Sequence, residues 1–144
     1  MTRAFHSLLK RLIGASLTLF FVLSLVLTTF GDSAEAKPIS MTGDYINDTV
    51  SVAKSLQETI SIPDDDENRT MADKEAVLLI TAYISRYRNR PEVNQSVSFT
   101  TMQTALNAMA GHYKTFKNRP IPEDLKERLN KELSQAQQLA TRES

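Results

Sequence analysis

The 144-residue chain has no cysteine. That absence removes disulfide staples, thiol catalysis, thiolate metal ligands and lipid attachment through a cysteine, so stability has to come from apolar packing. Glycine is nearly as scarce, with only Gly43 and Gly111 beyond residue 36. No segment there sustains an alternation of apolar and polar residues, which argues strongly against a sheet. Histidine is reduced to His112 in the same stretch, so no second imidazole exists to share a metal or orient a base. A glycine-rich phosphate loop, a G-x-S-x-G elbow and an S-x-x-K pair are also missing. An enzyme is not expected, and no catalytic residue, metal ligand or cofactor is assigned. Beyond residue 36 the chain carries 14 Lys+Arg against 15 Asp+Glu. Such a balance argues against a sequence-independent nucleic-acid binder.

The N-terminus holds what the rest lacks, a long apolar run. Arg3, Lys10 and Arg11 precede an uncharged stretch from Leu12 to Phe30, densest between Leu17 and Leu27. Gly31-Asp32-Ser33 and the A-x-A pattern Ala34-Glu35-Ala36 follow. This reads as a signal peptide over residues 1–36, with cleavage after Ala36. An uncleaved membrane anchor is the alternative, because the run approaches the roughly 20 residues a spanning helix needs. Both readings put the remainder across a membrane. Residues 37–42 are then a tether, 43–140 the folded part and 141–144 a C-terminal tail.

Four segments have helical period. Tyr45, Val52, Leu56 and Ile60 share one face, with Ile46 and Ala53 at its edge, Asp44 as N-cap and Pro63 as terminator. Ala72, Ala76, Leu79, Ile80, Tyr83 and Tyr87 form a second stripe. It opens with Asp64 to Glu67 and closes with Arg86, Arg88 and Arg90, which suits a helix dipole. Phe99, Met102, Leu106, Met109, Tyr113 and Phe116 make an a/d seam that Ser98 can cap. Ile121, Leu125, Leu129, Leu133, Ala136 and Leu139 line the fourth, with Pro122 at its first position and Glu123 and Asp124 in its first turn. Short connections make consecutive helices antiparallel, so the expected fold is all-α, an up-down-up-down four-helix bundle.

Counting Asp64 as the first position of a calcium loop places Asp66, Asn68 and Glu75 at ligand positions. Arg69, however, stands where that loop needs glycine, so helix capping is the expected role. His112 sits on the flank of the third seam, where a hydrogen bond to a neighbour or to solvent suffices. More unusual is the face behind that seam: Thr100, Thr104, Asn107, Ala108, Gly111 and Thr115 are uncharged, within a stretch from Val93 to Tyr113 free of formal charge. Either this helix packs on more than one side, or the face receives another protein.

The motifs "TGDYINDTV", "YISRYR", "SFTTMQTALNAMAGHY" and "NRPIPEDLKERL" resemble the photosystem II assembly and repair lipoprotein family, over about Thr42 to Leu133. The resemblance implies a four-helix protein of the thylakoid lumen, peripheral to the membrane, a non-catalytic factor without a cofactor and a monomer when free. Its implied partner is the inner-antenna chlorophyll protein, met from the luminal side in photosystem II assembly intermediates lacking the mature oxygen-evolving cluster. With no cysteine for a lipid, membrane association would come through the partner. Expected contacts are Thr104, Asn107 and Gly111, the turn Asn118-Arg119-Pro120, and Arg86, Arg88 and Arg90. The alternative is a luminal protein handling calcium or manganese through Asp64 to Glu67.

Overall fold

The computed structural model describes residues 41–143. The signal peptide expected over 1–36, most of the tether and Ser144 lie outside the described residues. Helix α1 spans Tyr45–Ile60. Asp44 starts it as expected: its backbone is extended and its carboxylate accepts the Asn47 N–H at 2.8 Å. Val52, Leu56 and Ile60 are buried at the spacing the period demands, but so are the polar Asp48 and Thr49.

Helix α2 spans Arg69–Tyr87 and starts later than the acidic run suggests. Asp64 to Glu67 lie in turns before it, and no acid stands in its first turn. Local hydrogen bonding decides this, because Asp66 accepts the Asn68 N–H at 2.7 Å and holds the chain in a side-chain turn. The dipole complement survives only at the other end, where Arg86 occupies the last turn.

A one-turn helix, α3, Pro91–Asn94, was not foreseen. Pro91 starts it with a missing N–H that the first turn does not need. Helix α4 spans Val97–Thr115, and its cap is Ser96, whose hydroxyl accepts the Phe99 N–H at 3.1 Å. Ser98, the cap expected from sequence, is buried inside the helix. Helix α5 spans Glu123–Arg142, with Pro122 as the residue before its first turn rather than within it. It runs past the expected end of the bundle, and Glu143 accepts a hydrogen bond from the Ser98 hydroxyl. Glu143 is therefore tied to the bundle.

α1 packs against α2 and α5, α2 against α4, and α4 against α5. The Tyr45 and Tyr87 rings lie 5.3 Å apart, so the start of α1 meets the end of α2. Ser98 and Glu143 join the start of α4 to the end of α5. Neighbours thus run antiparallel, and the four long helices close into the expected up-down-up-down bundle. Its core includes Leu56, Ile80, Tyr83, Met102, Leu106, Leu129 and Leu133, all at 2 % exposure or less. Phe116 departs from the seam assigned to it, at 47 % exposed. α4 ends at Thr115, so the helical period no longer turns Phe116 inward.

Candidate docking surface

The outer face of α4 is a continuous exposed strip, Val97, Thr100, Thr104, Asn107 and Gly111, at steps of three and four residues. A Cβ built on Gly111 would meet nothing within 4 Å. The small residue therefore does not admit a neighbouring helix of its own bundle. The Thr100 and Thr104 hydroxyls donate to the carbonyls four residues back, at 3.0 and 2.9 Å. With those donors already engaged, covering the strip with another surface costs less desolvation than its composition suggests. From Val93 to Pro122 the chain has no acidic residue, and its cations are Lys114, Lys117 and Arg119.

The strip ends in a fixed turn. Asn118 has φ 62, the left-handed conformation that asparagine tolerates better than other side chains. The Arg119 N–H reaches the Phe116 carbonyl at 3.1 Å, and the Arg119 carbonyl lies 3.2 Å from Nε2 of His112. A carbonyl only accepts, so Nε2 carries the proton. His112, 8 % exposed, is thus the inner support of this turn and makes the hydrogen bond to a neighbour expected of it. Asn118, Arg119 and Pro120 are all exposed.

Arg86, Arg88 and Arg90 sit at the opposite end of the bundle, about 28 Å away along a 19-residue helix. Two of them face the start of the described chain. Arg90 donates to the Gly43 carbonyl at 3.1 Å and lies 4.8 Å over the Tyr87 ring. A Cβ on Gly43 would stand 3.3 Å from a guanidinium nitrogen of Arg86, and its φ of 93 requires glycine in any case. Arg88 is exposed at the end of α2.

The same end holds a buried network the sequence did not reveal. Asp48 accepts the Thr42 N–H and hydroxyl through Oδ1, at 2.7 and 2.9 Å, and the Gly43 N–H and Tyr87 hydroxyl through Oδ2, at 3.0 and 2.5 Å. Burial alone would raise its pKa, but the hydrogen bonds from Tyr87, Thr42 and Gly43 outweigh that and hold it below the ordinary 3.8. Burial pushes the Tyr83 and Tyr87 phenols up, and for Tyr87 the Asp48 carboxylate adds to the effect. A lone aspartate on a helix's inner edge, four residues from an N-cap, was the only available signal.

The acidic run does not converge on a centre. Asp64 pairs with Arg69 at 2.5 Å and with Lys126 at 3.3 Å, tying the start of α2 to α5. Among the described residues no three acidic or imidazole side chains are grouped to hold a metal ion. No described helix is long and apolar enough to cross a membrane.

A family model described as Photosystem II Pbs27 matches residues 5–139. The chain is 38 % identical over 136 residues to the photosystem II assembly factor lipoprotein Psb27 of Thermosynechococcus vestitus, covering 94 % of this chain and 98 % of that protein. It is 32 % identical over 108 residues to the chloroplastic photosystem II repair protein PSB27-H1 of Arabidopsis thaliana, covering 73 % of this chain and 62 % of that one. Among solved structures, the solution structure of Psb27 from cyanobacterial photosystem II superposes with a TM-score of 0.70 at 41 % identity, covering 81 % of this chain and 99 % of that one.

Proposed function

The chain belongs to the photosystem II Pbs27 family, a family of assembly factors and not of enzymes, and from that premise we propose a specific role in photosystem II assembly and repair. The protein binds the luminal side of the inner-antenna chlorophyll protein in complexes that lack the mature oxygen-evolving cluster. It works in the thylakoid lumen, peripheral to the membrane. Having no cysteine, it reaches the membrane through its partner rather than through a lipid.

The observation that carries this reading is the exposed strip on α4. A solvated helix face is normally rich in Lys and Glu, whereas depletion of charge marks the centre of a protein interface. Gly111 costs about 1 kcal/mol of helix stability against alanine, with nothing in the bundle to offset it. Thr104, Asn107 and Gly111 form the middle of the contact, and Asn118, Arg119 and Pro120 its end. Arg86 and Arg88 extend the footprint at the far end, while Arg90 serves it by donating to the Gly43 carbonyl.

The test is affinity capture of photosystem II from cells with a tagged chain. Wild type should retain complexes without extrinsic subunits, and Thr104→Glu should lose them with an unchanged thermal melt. Capture of mature complexes alone would count against an assembly role. Undiminished capture by Thr104→Glu would remove α4 from the contact.

A further inference from the structure

Phe116 is the residue whose position in the structure contradicts its place in the sequence pattern. It caps α4 with its N–H on the His112 carbonyl at 2.8 Å, and its ring lies tilted on the His112 ring at 5.3 Å, with 47 % of the residue exposed. The same histidine bonds the Arg119 carbonyl through Nε2. A single buried imidazole therefore packs against an outward aromatic and fixes the backbone of an exposed arginine three residues on. A scattered exposed apolar residue needs no explanation. Here, however, the chain adopts a left-handed Asn118 and buries a histidine to build the arrangement.

Resting on the reading of α4 as the contact face, we infer that Phe116 and Arg119 are the anchor of that contact and that His112 is their positioning residue. Aromatic and arginine side chains carry interface energy out of proportion to their number, and pre-ordering them lowers the entropy lost on binding. Charge complementarity defines the seat. Lys114, Lys117 and Arg119 all lie within three residues of Phe116 and are exposed, and the chain has no acid between Glu92 and Glu123. Of the carboxylates at the same end of the bundle, Asp64 is engaged by Arg69 and Lys126, and Glu123 by Lys126. The occupant is a protein surface with an apolar depression for the phenyl ring, bordered by carboxylates.

The experiment measures affinity of the full chain for purified photosystem II assembly intermediates at several salt concentrations. Phe116→Ser, His112→Leu, His112→Gln, Arg119→Gln and Thr104→Glu are compared, with thermal melts as folding controls. Phe116→Ser should keep the fold with only a small fall in melting temperature, since about half of the residue is exposed, and bind roughly tenfold or more weakly. His112→Leu should lose a similar factor, and His112→Gln should recover most of it, because an amide N–H can still donate to the Arg119 carbonyl. Arg119→Gln should flatten the salt dependence. If Phe116→Ser binds as wild type while Thr104→Glu does not, the anchor is refuted and the α4 contact stands. Wild-type binding by both would overturn both. Equal losses in His112→Gln and His112→Leu, with intact melts, would overturn the positioning role, and an affinity insensitive to salt would overturn the carboxylate border. Should His112→Leu fail to fold, Phe116→Ser and His112→Gln decide the matter.

Discussion

Asp48→Asn tests whether the buried network at the start of α1 contributes to global stability. The wild-type carboxylate accepts four hydrogen bonds, two on each oxygen, at 2 % exposure. An asparagine of the same shape has one accepting oxygen. If that oxygen keeps the Thr42 pair, the amide nitrogen faces the Gly43 N–H, donor against donor, while the Tyr87 hydroxyl can rotate to accept. One charge-assisted bond is lost, about 1.5–3 kcal/mol, and a backbone N–H is left unsatisfied, about 1–3 kcal/mol. Relaxation absorbs part of this, so a destabilisation of about 3 kcal/mol is expected. In urea, with m about 1.5 kcal/mol/M, the midpoint should fall by about 2 M at pH 7. The depressed pKa adds a second arm. Stability from Asp48 is fully present above the ordinary value of 3.8 and is lost as pH falls through the lower folded value. The difference between wild type and Asp48→Asn should therefore be full from about pH 5 to 8 and shrink as pH falls below 3.8 toward the depressed folded value. A midpoint shift under about 0.5 M at pH 7 would refute the reasoning, since it would mean the Met41–Asp44 segment frays without the bundle. So would a difference that survives unchanged in acid.

Gly111→Ala should stabilise the free protein by about 0.5–1 kcal/mol in the same urea assay, because the added methyl enters open space on a helix. Leu106→Ala, at a position with no exposure, should cost about 2–5 kcal/mol and lower the thermal midpoint. The phenols of Tyr83, Tyr87 and Tyr113 are raised chiefly by burial, so their stabilisation is present below about pH 10 and declines as pH rises further. Phenolate absorbance from these three should appear together with loss of helical circular dichroism, not before it.

The bundle was legible because apolar residues at a spacing of 3.6 leave few alternatives once turn residues and strand alternation are absent. Val52, Leu56, Met102, Leu106, Leu129 and Leu133 all point where the period sends them. The docking strip was legible as an absence of charge, but whether it faced solvent or a second helix was not. Helix ends were least readable. Ser96 and Ser98 are equally good caps on paper, and only the approach of Glu143 and of the Tyr45 hydroxyl, at 2.6 Å, makes Ser98 an interior residue. Phe116 was misread for the same reason, since a period extrapolated past a helix end has no structural meaning.

What the sequence alone determined is the architecture, which follows from local periodicity, and the exclusion of thiol chemistry, which follows from composition. Tertiary structure decided which polar groups meet across the bundle. Asp48 and Tyr87 are 39 residues apart, Ser98 and Glu143 45, and Asp64 and Lys126 62. Such pairs depend on the register between helices, which interdigitating side chains set and no single helix encodes. The separation of Arg86, Arg88 and Arg90 from the Asn118 to Pro120 turn also belongs to that level, because only the packed bundle shows that they stand at opposite ends.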